Sequence, residues 1–278
     1  RAFGFKVFFP ENHAAMLGAT RTATDHIPKA NSIGYSQDIC SYLTSDIGAF
    51  LSGFTPLTRA YGIKTLPKPD ILVFNTNQCR DVQDWFGWYA RHYDVPCVGV
   101  YTHRNVDEVN PDIIKSISSQ FSDLIPHLER VSGKKFSEEE LSENVKLSRE
   151  TSILWEQILE TATNTPAPLS FFDATIHMGP AVVLRGTEQA NNYYRTLLTE
   201  LNTRIEQNIS AVENEKFRIY WEGMPIWGRL RDSANLFTSL NSCLVASTYC
   251  NSWIFNQLDA NNPLDSMAKA YTELFIVR

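Results

Sequence analysis

Apolar residues recur along this chain in two rhythms. Short continuous apolar runs mark buried strands: ILVF at residues 71–74, PCVGVY at 96–101, FRIYW at 217–221 and CLVAST at 243–248. An earlier run, KVFFP at residues 6–10, reads as a further strand. Between these runs the spacing turns helical. Residues 11–23 carry the alanines and methionine of a helix, residues 38–50 form another closed by Gly53, and DVQDWFGWYAR at 81–91 puts acids in its first turn. Strand, helix and strand over residues 71–101 make a βαβ unit, which demands parallel strands and a right-handed crossover.

The middle of the chain is helical. Ser137 followed by Glu140 is a capping-box pattern, opening a helix to about residue 160 with Leu147, Leu154 and Ile158 along one stripe. Residues 161–170, with two prolines, break it, and a second long helix is expected over 187–209. The strand rhythm then returns: strand at 217–221, turn at Gly223-Met224-Pro225, helix at 226–240, strand at 243–248. This second βαβ unit is followed by LFIVR at 274–278, where the sequence ends before a doubly wound domain would be complete. The expected fold is therefore α/β: two Rossmann-like lobes with parallel sheets joined by a helical segment, the second lobe incomplete. The first lobe takes residues 1–125, the helical segment 126–210 and the second lobe 211–278.

Composition narrows the class. With 43% hydrophobic, 12% aromatic and 20% charged residues over 278 positions, the chain is an ordinary globular one, not disordered, collagenous or a coiled coil. A net charge of −6 weighs against nucleic acid as a partner, and no apolar run approaches the roughly 18 residues of a membrane span. No signal peptide is visible, so the expected location is cytoplasmic, although Arg1 in place of Met leaves the true N-terminus open. Five scattered cysteines without a C-x-x-C make a poor disulfide framework and write no local zinc or ferredoxin motif.

Open parallel sheets bind ligands beyond the carboxyl ends of their strands. Cys79 follows the 71–74 strand at an expected helix start, and Cys40 also stands near one. The positive end of a helix favours a thiolate, the form that ligates a metal. The competing reading makes both cysteines small core hydrophobes, as Cys97, Cys243 and Cys250 are expected to be. Glu222 occupies the matching turn of the second unit, where it is either an acid–base group or a turn carboxylate held by amides. Trp221 and Trp227 flank that turn and are candidates for an apolar pocket. No G-x-G-x-x-G, P-loop or G-x-S-x-G appears, which disfavours a nicotinamide enzyme, a nucleotide hydrolase and an α/β-hydrolase.

Five segments in order carry a resemblance that covers essentially the whole chain. GYSQDICSYLTSDIG at 34–48 resembles the first cysteine motif of the benzoyl-CoA reductase and 2-hydroxyacyl-CoA dehydratase family, and PDILVFNTNQC at 69–79 resembles its second. HLERVSGKKF at 127–136, LRGT at 184–187 with Tyr193 and Tyr194, and IYWEGMPIW at 219–227 are similar to its later motifs. The resemblance implies a catalytic subunit paired with a homologous second catalytic subunit, each holding a [4Fe–4S] cluster on three cysteines. Cys40 and Cys79 match the first two ligand positions. Neither Cys243 nor Cys250 matches the third, which in the family lies further on, so a chain ending short of it is expected.

The implied chemistry is ATP-driven: a separate ATP-hydrolysing iron–sulfur activator delivers an electron, and a low-potential cluster passes it to an acyl-CoA thioester. The outcome is either loss of water from a 2-hydroxyacyl-CoA or reduction of an aromatic ring, and the VSGK and LRGT stretches lean towards benzoyl-CoA-type ring reduction. Glu222 would serve as acid or base, Trp221 and Trp227 would shape the acyl pocket, and Arg185 and Arg229 would meet CoA phosphates. Two readings of other classes stand beside this: a non-catalytic scaffold subunit of such a complex, and a metal-free Rossmann-like binding protein.

Overall fold

In this computed structural model, which describes residues 1–77, 79–103 and 108–273, the short apolar runs pair with one another, although the run at 217–221 is not buried as expected: Phe217, Arg218 and Tyr220 stay exposed. The run after Pro69 becomes β1 (Leu72–Asn75), and a helix (Arg80–Tyr93) crosses to β2 (Cys97–Val100). The strands are parallel, with Leu72 opposite Cys97 and Asn75 opposite Val100. A second unit repeats the plan: β3 (Phe217–Trp221), a helix (Leu230–Ser239) and β4 (Ser242–Ser247), again parallel, with a register shift between Ile219 and Tyr220.

The remaining elements are helices. In chain order they are α1 (Pro10–Ala19), α2 (Ala23–Asn31), α3 (Ser41–Leu51), α4 (Leu57–Tyr61), the β1–β2 crossover α5, α6 (Pro111–Ser132), α7 (Glu138–Glu160), α8 (Phe171–His177), α9 (Gly179–Val183), α10 (Glu188–Glu206), the β3–β4 crossover α11, α12 (Thr248–Asn251) and α13 (Pro263–Glu273). Two of the long ones start where their caps direct. Ser137 accepts a hydrogen bond from the Glu140 amide to open α7, and Thr187 accepts one from Ala190 to open α10. The reciprocal capping box belongs instead to Ser170 and Asp173, at the head of α8.

Each unit has its own core. Leu43, Ile47, Leu72, Trp85 and Tyr89 bring α3, β1 and α5 together. Trp155, Ile158, Phe171, Tyr194 and Leu244 join α7, α8 and α10 to β4. A smaller cluster of Val100, Ile117, Phe121 and Ala268 packs α6 and α13 against the end of β2.

Three expectations need correction. Residues 6–9 form no strand: the segment pairs with no other strand, and Lys6, Val7 and Phe8 wall one side of an apolar cavity of about 320 Å³ opposite residues 66–73. The two multi-stranded Rossmann-like lobes reduce, among the described residues, to two separate two-stranded parallel sheets in a mainly helical α/β fold. The expected boundary at 125/126 falls inside α6, a helix announced by Asn110, whose side chain accepts from the Ile113 amide, with Pro111 in the first turn. The LFIVR run lies outside the described residues.

Candidate functional site

Two helices begin at cysteines. Cys40 is the residue before α3 and Cys79, in extended conformation, the residue before α5. Asp81, in the first turn of α5, crosses to accept a hydrogen bond from the Cys40 amide at 3.1 Å. The start of α3 is thereby tied to the start of α5. Both helices present their positive ends on the same side, where first-turn amides favour anionic sulfur.

The Cys79 thiol reports this setting. Burial pushes its pKa up, and the neighbouring Cys40 thiol and Asp81 carboxylate push further, while the Val82 and Asp81 amides act in the opposite direction. The net shift is upward, so the amide contribution expected of a helix start is outweighed here. A thiol in this state keeps its proton near neutral pH and surrenders it to a metal ion, because a ligating cysteine must be deprotonated. The loop from β1 to Cys79 is also polar ground: Asn75 Oδ1 and Asn77 Oδ1 are buried without a hydrogen-bond partner.

The other three cysteines are packed into the protein. Cys97 opens β2, half-buried, in register with Leu72, and burial raises its thiol. Cys243 is pushed up to about 12, chiefly by burial, and Cys250 is buried against Trp155, whose indole donates to the Cys250 carbonyl.

In the second unit, Gly223 adopts φ +90° and so turns the chain sharply after β3. Glu222, just before it, is exposed and accepts a hydrogen bond from the Thr248 hydroxyl, which also meets the Tyr220 hydroxyl at 2.8 Å. Trp221 is a wall rather than a free surface: it stacks on Phe171 at 5.4 Å, and its indole donates to the Met224 carbonyl.

Trp227 reaches the other unit. Its indole donates to the Tyr42 hydroxyl, two residues beyond Cys40, and its ring meets Tyr249 edge-on. The 222–227 segment therefore lies against the helix that starts at Cys40.

The two arginines part company. Arg185 is held inside the fold by the carbonyls of Ala181, Ser148 and Trp253 and by the Ser152 hydroxyl, with Phe255 stacked at 4.6 Å, and burial brings its pKa down to about 10. Its donors are committed, so the phosphate contact expected of Arg185 is not available in this arrangement. Arg229 is exposed and shares the Asp232 carboxylate with Arg21, at 3.0 and 3.2 Å. Two cations on one carboxylate leave a net positive patch.

One further carboxylate belongs here that the sequence pattern did not single out. Glu11, in the first turn of α1, has its pKa raised by burial and lies in electrostatic reach of Tyr42 and Tyr249. Its signal was Pro10-Glu11 opening a helix straight after an apolar run.

Among the described residues no three His, Cys, Asp or Glu side chains gather as a metal site. Cys40 and Cys79 fit two ligand positions of an iron–sulfur cluster in residue type and in their placement at neighbouring helix starts. No helix among the described residues is long and apolar enough to cross a membrane.

Comparison with known proteins gives a consistent picture. The pattern of the family described as 2-hydroxyglutaryl-CoA dehydratase, D-component, matches residues 1–276. The chain is similar to the (R)-2-hydroxyisocaproyl-CoA dehydratase alpha subunit of Clostridioides difficile, with 31% identity across 98% of this chain and 66% of that one. It is 30% identical to the (R)-phenyllactyl-CoA dehydratase alpha subunit of Clostridium sporogenes, across 92% of this chain and 62% of that one. It is also 30% identical to one of the subunits of the benzoyl-CoA reductase of Thauera aromatica, across 93% and 62%. The chain thus spans about two thirds of the length of these curated relatives.

Proposed function

This chain belongs to the 2-hydroxyglutaryl-CoA dehydratase D-component family, and we propose that it is the iron–sulfur subunit of an enzyme that reduces an acyl-CoA thioester by single electrons. The observation that carries the reading is the pair of cysteines heading α3 and α5, linked through the Asp81–Cys40 hydrogen bond. When bound, a [4Fe–4S] cluster held partly by Cys40 and Cys79 supplies low-potential single electrons, delivered to it by an ATP-hydrolysing activator.

The chain's own residues do the rest. Trp227, bonded to Tyr42, sets the second unit's turn beside the cysteine helices. Glu222, its carboxylate oriented by the Thr248 hydroxyl, accepts or returns a proton at the edge of that joint. Glu11, kept protonated to higher pH by burial, is the complementary proton donor. Arg229, with Arg21 beside it, offers charge to CoA phosphates. Trp221 and Trp227 contribute apolar walls for the acyl group. The enzyme pairs with a homologous subunit, a reading supported by relatives that are themselves named as subunits.

Of the two reactions, the LRGT stretch and the likeness to a benzoyl-CoA reductase component support aromatic ring reduction. A second reading, dehydration of a 2-hydroxyacyl-CoA, is favoured by the family's own description and by the dehydratase alpha subunits. The deciding experiment is iron and sulfide analysis of the anaerobic full-length protein with its partner, alongside Cys40→Ala and Cys79→Ala. Turnover is then followed on benzoyl-CoA and on (R)-2-hydroxyacyl-CoA. Wild-type iron content in both variants would sink the ligand assignment. Turnover of the hydroxyacyl substrate alone would select dehydration. In the same complex Glu222→Gln is expected to lower turnover by ~100-fold, the scale of a lost acid–base group. Unchanged turnover and affinity would leave Glu222 a turn carboxylate.

A further inference from the structure

Below the two cysteines lies a buried polar network that the proposed chemistry does not use. Asp46 on α3 is wholly buried, and so, nearly, are His13 on α1, Thr55, and Trp85 and Tyr89 on α5. Three donors converge on the one carboxylate. The His13 ring bonds Asp46 Oδ1 at 2.5 Å, and Trp85 Nε1 and the Tyr89 hydroxyl donate to Asp46 Oδ2 at 2.9 and 2.6 Å. The far nitrogen of His13 bonds the Thr55 hydroxyl at 2.9 Å, which fixes the ring's direction.

Sequence spacing makes this network more than a core ornament. Asp46 stands six positions after Cys40 and Trp85 six positions after Cys79. The two helices start together and are joined at two depths, with Tyr89 adding to the deeper one. One link lies at their starts, from Asp81 to the Cys40 amide, and the other lies at the same depth down each helix, from Asp46 to Trp85. Six residues of helix are about 9 Å, so the links brace the pair at two levels.

Apolar packing tolerates small slides and rotations of one helix on another, whereas directional hydrogen bonds to a buried carboxylate allow only one arrangement. A stability role alone would be met as well by apolar side chains of similar volume, since burying a charge is costly even when it is paired. The network instead fixes how α5 is turned against α3, and with it where the residues capping them stand.

We propose that Asp46, aimed by His13, is a positioning residue that sets the separation of the Cys40 and Cys79 sulfurs. The inference rests on the reading that these two thiols act as paired ligands, and it names what holds them at ligand spacing. Asp46 touches neither sulfur. It acts through Trp85 and Tyr89 on the rotation of α5. An Asp46→Asn change is not conservative here, because one amide oxygen cannot serve three donors.

The test uses the full chain and phenylarsine oxide, which needs two thiols within one span, with iodoacetamide on the exposed Cys79 as the single-thiol comparison. Cys40→Ala and Cys79→Ala define the paired component of arsenical binding. Asp46→Asn is expected to weaken that component by ~10-fold or more, the usual cost of removing a ligand's supporting partner, while the Cys79 alkylation rate holds within about twofold. Trp85→Phe, which keeps the carboxylate and its other two donors, is expected to give a smaller loss in the same direction and covers the case in which Asp46→Asn fails to fold.

Unchanged arsenical affinity in the folded variants would overturn the proposal. So would a loss matched by faster alkylation of all five cysteines, which signals general loosening. Wild-type binding that ignores Cys40→Ala and Cys79→Ala would overturn it as well, since the sulfurs would then not share a span. Failure of the functional reading looks different: arsenical binding that depends on both thiols and on Asp46, in a complex that contains no iron or sulfide.

Discussion

Arg185 shows how one side chain can hold several segments at once. Its guanidinium joins the end of α9, two turns of α7 and the Trp253 carbonyl, with no carboxylate among its hydrogen-bond partners. Replacing it with Met keeps the stem but removes four hydrogen bonds at a buried position. Arg185→Met is expected to cost about 3 kcal/mol in urea unfolding, on the scale of a few charge-assisted hydrogen bonds. A cost below about 0.5 kcal/mol, the range of ordinary surface changes, would mean the contacts are incidental.

Single residues also mark how far the sequence was legible. Cys40 and Cys79 announced themselves by standing at helix starts after a strand or turn. Arg185 did not announce its burial, because nothing in LRGT says that Ser148, Ser152 and Trp253 will fold over it from up to 68 positions away. The exposure of Glu222 and the burial that raises the Glu11 pKa were illegible for the same reason. Burial of a lone carboxylate is decided by which distant element covers it, and local pattern carries no record of that.

Helices α2 and α3 approach each other closely. A side-chain carbon added at Gly48 would stand 2.1 Å from the His26 carbonyl oxygen, so the two helices meet there backbone to backbone. Gly48→Ala is expected to destabilise by about 3 kcal/mol through overpacking, despite alanine's better helix propensity, and thermal melting measures it. A neutral or stabilising result would show that α2 moves freely. The sequence hid α2 altogether, since Pro28 and the charged ATDHIPKAN stretch look like a connection, and its position comes from packing on α3.

Strands and capped helices were easier to find, because a continuous apolar run or a Ser or Thr cap acts locally. The run at residues 6–9 misled for lack of a partner: a strand exists only by pairing, and here Val7 and Phe8 line a cavity with residues 66–73 while the Phe8 ring meets His13.

The molecule as a whole is closed by a joint between α1 and the turn before α11. An added carbon at Gly228 would lie 2.9 Å from the Gly18 carbonyl, Arg21 donates to the Gly228 carbonyl at 2.7 Å, and Trp227 reaches Tyr42 alongside. Gly228→Val is expected to pry this joint open. Far-UV dichroism should hold while turnover in the full complex falls by ~10-fold or more, as misplacement near a reacting centre does. Full turnover in the variant would show that the two units need not touch.

Acid should loosen the whole fold as well. His26 and His177 both have their pKa values lowered, first by burial, so the unfolded chain takes up protons before the folded one. Their contribution is complete above the ordinary imidazole value near 6.5 and is lost as pH falls through it towards the lowered values. Unfolding midpoints should therefore drop on acidification through this window, and His177→Gln should flatten the slope. An identical slope in that variant would remove His177 from the account.

The paired six-residue intervals, 40 to 46 and 79 to 85, have a consequence for how such a chain can change length. A helix turns by about 100° for every residue, so one inserted or deleted position inside either interval swings its cysteine a quarter-turn or more away from the other. Neither interval can grow or shrink alone, and even a matched change in both would have to restore the same facing. Length variation is better tolerated after α4, where Gly62 lies in open space with positive φ, beyond the buried Thr55 that holds His13. The two stretches behave as measuring rods cut to one length, and any working variant of this chain has to leave both uncut.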